Sequence, residues 1–292
     1  MPLGKRQCPI CRLRDKDVFQ RHIQLKRRVS EPCGSSSSSS APPYVGNGSY
    51  TYFAQTSSSS APLNYTGGQF LYEYNYGSEH NGSSTGASNT YSLQINTGLF
   101  YTSYGGHTNI VGWEQFVYQT ESSGTFLAVW YVLPSYSADY GGCPSGWSNY
   151  STSSCYYHST FNQNSPEVSA SSLTTVVLTG TASTSQDTAK FCYATICYSS
   201  SGSDVIGLAQ GSNWQKSEFN VFGIGGGSGA VFNSCSGCGT FSLTVNLQGG
   251  SNTLVGCGSA GGYDYTAEWN NLDLNFTSCS SATSSITFSE YL

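Results

Sequence analysis

From about residue 63 onward the chain is a succession of short apolar and aromatic runs, mixed with polar residues and cut off by Gly, Ser or Asn. The runs are "GQFLYEYNYG", "YSLQINTGLF", "GWEQFVYQT", "TFLAVWYVL", "LTTVVLTGTAS", "AKFCYATICYS", "EFNVFG", "GAVFNS", "TFSLTVNLQ", "AEWNNLDLNF" and "SSITFSEYL". Each suits a strand. No long stretch carries apolar residues at the 3.6 spacing of a helix, no heptad repeats, and no apolar run nears the ~18 residues of a membrane span. Strands that follow one another without intervening helices bury their apolar faces by stacking two sheets, so residues 63–292 are expected to form an all-β, antiparallel β-sandwich. No repeat of fixed period is evident, which argues against a propeller or solenoid. Aromatic residues at 14% supply bulk for such a core, although only 9% of residues are charged.

Two segments of different composition precede the sandwich. Residues 35–62 hold "SSSSSSAPP" and "SSSSAP" around a short aromatic insert, "YTYFAQ", and read as a Ser/Pro-rich linker. Residues 1–34 form a basic head that carries nine of the eleven Lys and Arg residues. There, Cys8-Pro-Ile-Cys11 followed by Phe19-x-x-His22 resembles the front half of a two-Cys, two-His zinc finger. A second His roughly three to five residues after His22 is missing, and Cys33 is too distant for both to ligate from one short helix. Zinc held by Cys8, Cys11, His22 and Cys33 is therefore the secondary reading of the head. The primary one is an unstructured basic leader or extension. The head lacks an apolar stretch of roughly 7–15 residues, so it is no ordinary signal peptide.

The rest of the chain keeps only Lys190 and Lys216 against thirteen Asp and Glu, a net charge of −11. In acid such a body has few ion pairs to lose and little positive self-repulsion, so it suits an acidic medium. The plainer reading is a Ser/Thr/Tyr-rich secreted surface. The nine cations of the head can hold phosphate, but the acidic body opposes it, and nucleic acid is not an expected partner. Eight cysteines lie in the body, enough for four disulfides in an oxidising compartment, with Cys143–Cys155 and Cys192–Cys197 as the expected local pairs. Cys235-x2-Cys238 has no partner CxxC or nearby His and is read as disulfide-forming too. Secretion follows from these cysteines; the five N-x-S/T sequons arise as readily by chance in a chain this rich in Ser and Thr.

Strand alternation sorts the polar side chains by face. In "SEFNVFG" Glu218, Asn220 and Phe222 share one face; in "YSLQINTG" Ser92, Gln94 and Asn96 lie opposite Leu93 and Ile95. "VGWEQFVY" groups Val111, Trp113, Gln115 and Val117 against Glu114, Phe116 and Tyr118. Each strand thus offers an apolar face for the core and a face of polar and aromatic groups, either an elongated cleft or a solvated exterior. Glu218 stands out as a lone carboxylate in an apolar strand with only Lys216 as a local cation. Neither H-x-x-x-H spacing among His80, His107 and His158 nor a G-x-S-x-G elbow is present, which argues against a zinc or α/β-type serine hydrolase. "GIGGGSG" does not open a helix and lacks the lysine of a phosphate loop, so it is read as a hairpin turn. No cofactor is expected in the body; carboxylate and carboxamide chemistry at acid pH remains.

"SLQINTG", the tryptophan-bearing "GWEQFVY" some twenty residues later and the Glu-bearing "WQKSEFNVFG" resemble the glutamic peptidases, the eqolisins and neprosin-like enzymes, over roughly residues 63–292. "WQKSEFNVFGIGGGS" and "CPSGW" are also similar to stretches of secreted bacterial proteins. The resemblance implies a concanavalin-like sandwich and a secreted, acid-active endopeptidase that hydrolyses peptide bonds with a Gln/Glu pair and an activated water. Carried over residue by residue, Glu218 is the general base that returns its proton to the leaving amine, and Gln94 orients the water and donates to the oxyanion. Asn96, Trp113, Glu114, Asn220 and Trp214 are then the cleft residues. The eqolisin glutamine stands in "QTG", interrupted here by Ile95 and Asn96, and their "AEW" reads "SEF" at Glu218. A literal "AEW" at Ala267-Glu268-Trp269 comes too late in the chain, so Glu268 is the second choice. The alternative is a non-catalytic, carbohydrate-binding or cell-surface sandwich, since aromatic faces with Asn and Gln suit sugar rings as well as peptides. A glycoside hydrolase would use Glu114 and Glu218 as its carboxylate pair. The expected partner is a polypeptide substrate, or a glycan in the alternative.

Overall fold

Alternation of apolar and polar residues builds two antiparallel sheets that stack face to face. The computed structural model describes residues 52–56, 64–74, 89–121, 123–211, 213–224, 229–230, 232, 242–248, 254–259, 268–270, 272–280 and 285–291. The basic head with Cys8, Cys11, His22 and Cys33 lies outside the described residues, as do Cys235 and Cys238. In the first sheet, β15 (Leu254–Ser259), β1 (Tyr52–Thr56), β12 (Lys216–Phe222), β3 (Tyr91–Thr97), β5 (His107–Glu121), β6 (Gly124–Leu133), β8 (Cys155–His158) and β7 (Ser148–Asn149) lie side by side. A further strand, β4 (Phe100–Tyr104), folds back on the start of β5. The second sheet runs β11 (Ile196–Gly202), β10 (Asp187–Tyr193), β9 (Val176–Ala182), β2 (Asn64–Tyr74), β14 (Ser242–Gln248), β18 (Ser285–Tyr291) and β17 (Asp273–Ser280). A separate parallel pair joins β13 (Gly229–Ala230) to β16 (Trp269–Asn270). Helix among the described residues is limited to α1 (Tyr136–Tyr140) and a 3-10 turn at Ala170–Thr175. The protein is the all-β sandwich that the strand pattern implies. No helix among the described residues is long and apolar enough to cross a membrane.

The core sits between the sheets. Leu93 and Ile95 of β3, Phe116 and Tyr118 of β5, and Phe219 and Val221 of β12 meet Leu178 of β9, Phe191 of β10 and Val245 of β14. Burying each such side chain contributes roughly 1.5–3 kcal/mol. Tyr118 and Phe191 stack in parallel across the interface with ring centres 3.8 Å apart. At Gly180 of β9 the sheets approach closely: a Cβ there would stand 2.5 Å from the Phe116 ring. Cys279 of β17 is disulfide-bonded, and two further disulfides are Cys143–Cys155, whose buried Cys155 opens β8, and Cys192–Cys197 across the β10–β11 pair. These two are the pairs expected from sequence.

Several expectations need correction. The insert "YTYFAQ" is not linker: β1 hydrogen-bonds between β12 and β15, and Phe53 pairs with Glu218. "AKFCYATICYS" is not one strand but the hairpin β10–β11, turning at Ala194, whose φ is 54°. "AEWNNLDLNF" divides into β16 and β17. Residues 225–228 of "GIGGGSG" lie outside the described residues; β13, which follows them, pairs with β16.

Candidate active site

Phe219 and Val221 enter the core, so the alternate residue Glu218 projects from the other side of the first sheet. Three adjacent strands bring polar residues together on this outer face. Glu218 of β12 pairs in register with Asn96 of β3, and Asn96 with Gln115 of β5. Gln94 lies two residues along β3, paired with Asn220 on one side and Val117 on the other. These groups are nearly enclosed: Glu218 is 3% exposed, Gln94 4% and Gln115 8%.

Enclosed polar groups need hydrogen bonds, and here they form one connected network with two arms that diverge from Gln115. The Ser92 hydroxyl donates to the Gly223 carbonyl at 2.6 Å, and Gln94 Nε2 donates to Ser92 Oγ at 2.9 Å. Gln115 Nε2 donates both to Gln94 Oε1 at 2.8 Å and to Asn96 Oδ1 at 3.0 Å. Asn96 Nδ2 then donates to Glu218 Oε1 at 3.2 Å. Donor and acceptor roles are consistent at every link, which sets the orientation of each carboxamide. An amide NH₂ carries two hydrogens, and the bond to Ser92 uses one of those on Gln94. Trp113 lies on the Gln115 side of β5, fully buried, its indole N–H held by the Thr97 carbonyl at 3.0 Å.

The same row continues into aromatic residues. Gln115 pairs with Trp130 of β6, and Trp130 with His158 of β8. Phe161 stacks on His158 with ring centres 4.2 Å apart, and Tyr156 lies 5.6 Å from Trp130. One ladder row across the sheet therefore reads Glu218, Asn96, Gln115, Trp130, His158.

Of the residues expected at the site, Glu218, Gln94, Asn96 and Trp113 share the outer side, and Asn220 occupies the register position beside Gln94. Two do not belong to the cleft. Glu114 shares its face with Phe116 and Tyr118 and enters the core, where it is wholly buried. Burial, followed by the nearby Asp187 and Asp204, holds its carboxyl well above the usual carboxylate range. Glu114 and Glu218 thus lie on opposite sides of one sheet and cannot flank a single glycosidic bond. Trp214 also packs in the core, stacked on Phe116 at 5.2 Å, with its N–H on Ser217 Oγ at 2.7 Å. It precedes β12, so the alternation of that strand does not govern it. Glu268 is buried just before β16, on a segment anchored to the Val221 carbonyl by Asn270 at 2.6 Å. Gln115, absent from the expected site residues, is the central link of the network. Alternation already placed it with Trp113 and opposite Glu114, so its face, though not its partners, was recoverable from period two. No group of three or more His, Cys, Asp or Glu among the described residues is arranged to hold a metal ion.

No family model and no curated protein matches the sequence. Among solved structures the chain is similar to scytalido-glutamic peptidase with a peptide-based transition-state analog, at 11% identity and a TM-score of 0.32. It is similar to SCP-B, a member of the eqolisin family of peptidases in a complex with the tripeptide Ala-Ile-His, at 9% identity and a TM-score of 0.32. Each match covers 82% of this chain and 97% of the other. At such identities the likeness concerns the fold alone and assigns no site residue.

Proposed function

We propose that the chain is a secreted, acid-active endopeptidase of the glutamic type, in which Glu218 and Gln94 act on one water and one peptide bond. The observation that carries this reading is the hydrogen-bond network Ser92–Gln94–Gln115–Asn96–Glu218, donating outward from Gln115, which orients a carboxylate and a carboxamide on one face of neighbouring strands. Diagonal neighbours on an antiparallel pair stand about 7–8 Å apart, a gap that one water bridges between two long side chains. Glu218 takes a proton from that water as its oxygen attacks the carbonyl carbon. The free N–H of Gln94 donates to the developing oxyanion. Glu218 then gives the proton to the amide nitrogen, the C–N bond breaks, and a carboxylic acid and an amine leave. Base catalysis of this sort is worth about 10²–10⁴ in rate, and an oxyanion donor about 3 kcal/mol. A carboxamide keeps its donors at any pH, whereas a histidine base is protonated in acid. The disulfides Cys143–Cys155 and Cys192–Cys197 support export to an oxidising compartment.

A second reading, carbohydrate binding without catalysis, draws on the aromatic groups Trp130, Tyr156 and His158 beyond Gln115. Digestion of an unfolded protein substrate from about pH 2 to 7 separates the two. Acid-dependent cleavage that is lost in Gln94→Ala, with thermal stability retained, supports the peptidase. Glycan binding by a folded, oxidised sample that cleaves nothing supports the second reading.

A further inference from the structure

We propose that Glu114, Asp187 and Asp204 form a proton-binding site between the two sheets, which holds the sandwich together in acid and releases it as the pH nears neutrality. The inference is independent of the peptidase reading, because none of these groups lies on the Glu218 face.

The cluster is assembled from both sheets. Glu114 enters the core from β5, and neither of its carboxyl oxygens has a hydrogen-bond partner among the described residues. Asp187 opens β10 of the opposite sheet, on the core face it shares with Ala189 and Phe191, and is also fully buried. Tyr131 of β6 pairs with Glu114 in register and is a link between the two. Its hydroxyl reaches Gly202, the partner of Asp187 in the β10–β11 ladder: a Cβ on Gly202 would stand 2.5 Å from Tyr131 Oη. The hydroxyl approaches Asp187 without closing a well-formed hydrogen bond. Asp204 follows two residues after Gly202, with Oδ1 accepting from the Leu208 N–H at 2.8 Å.

No cation among the described residues faces this cluster. The other titratable groups turned toward the core on the packed elements include Tyr118 of β5, Tyr193 of β10, Tyr157 of β8 and Tyr198 of β11, none of them cationic. Lys190 is exposed on the outer face of β10, His158 lies on the outer face beside Trp130, and His107 stacks on Tyr140. A carboxylate in such surroundings is strongly disfavoured, and a second or third adds repulsion, so protonation is the available relief. Burial and then Asp204 push the Asp187 carboxyl up to about 8, partly offset by the Tyr131 hydroxyl. Burial raises Asp204 as well, against backbone N–H groups of Leu208, Gly207 and Ala209 that lower it.

The sign follows from linkage. These carboxyls titrate higher in the fold than in the unfolded chain, where Asp and Glu titrate near 4. The fold therefore binds more protons than the unfolded chain between about pH 4 and pH 8. The stability contribution is complete below that window and is lost as pH rises through it.

Thermal unfolding of the full chain between about pH 4 and pH 8 tests this, with Asp187→Asn, Glu114→Gln and the double variant beside the wild type. Asp139→Asn on the exposed face of α1 is the control for surface charge. The wild-type Tm should fall by an amount on the order of 10 °C across the window. Each isosteric amide should reduce that slope and the double variant should remove most of it, while the control keeps it. Equal slopes in wild type and double variant, or a wild-type Tm that rises towards neutrality, would overturn the proposal. If the amide variants do not fold, infrared difference spectra of folded Glu290→Gln near pH 6 decide, because the separately buried Glu290 of β18 would give the same band. A protonated-carboxyl C=O band is expected, and its absence overturns the inference.

Discussion

Glu114 and Gln115 are consecutive on β5 and serve opposite sides of one sheet: the carboxyl enters the core, while the carboxamide joins Gln94 to Asn96 on the outer face. The period-two geometry of a strand makes this division automatic. It also separates the two polar systems of the molecule, so that each can be perturbed without touching the other.

Gln115→Leu removes the donor to both Gln94 Oε1 and Asn96 Oδ1. Leaving such acceptors unmatched in an enclosed site costs about 1–3 kcal/mol. Chemical denaturation should register that loss. In a peptide-cleavage assay, kcat should fall about tenfold or more with KM little changed, because Gln94 and Glu218 lose their fixed orientation.

Gly180→Ala places a methyl group 2.5 Å from the Phe116 ring, across the close approach of β9 to β5. Overpacking of this kind costs about 1–3 kcal/mol. The unfolding free energy should drop by that amount, seen as a lower denaturation midpoint with no change in the slope of the transition. Since Phe116 stacks on Trp214, Trp214→Ala opens a cavity in the same region and should cost about 3–5 kcal/mol. Cleavage per folded molecule should survive in both variants, which lie on the core side.

Glu290 of β18 is buried with no hydrogen-bond partner for either oxygen among the described residues. Burial holds its carboxyl well above the ordinary range, only partly offset by the Val221 backbone N–H, which approaches without closing a well-formed hydrogen bond. Its stability contribution is therefore present in acid and lost as pH rises. Glu290→Gln should raise Tm at about pH 8 relative to wild type and bring little gain at about pH 4, as read by calorimetry at the two values.

Much of this was legible in the sequence. Alternation placed Glu218, Gln94, Asn96 and Trp113 on one side, and the structure pairs their strands in register. It also set Glu114 apart from Trp113, which the expectation of a shared cleft overlooked. Pairing across the sheet was not legible, because register depends on partners distant in the chain, and so Gln115 emerges as a hub only in three dimensions. β1 was obscured by the Ser and Pro runs on both sides of it. The β10–β11 turn was obscured because Ala194 holds a positive φ that Gly or Asn usually takes. Trp214 was misplaced by proximity in sequence to Glu218, whereas it lies ahead of the strand and folds under it.

The measurement that tests the account most directly compares Glu218→Gln with Glu114→Gln in digestion of an unfolded protein substrate in acid, after both are shown to be folded and oxidised. The account predicts that Glu218→Gln abolishes cleavage and that Glu114→Gln cleaves like the wild type. Cleavage retained by Glu218→Gln and lost in Glu114→Gln would contradict it, since the working carboxyl would then lie between the sheets and not on the Gln94 face.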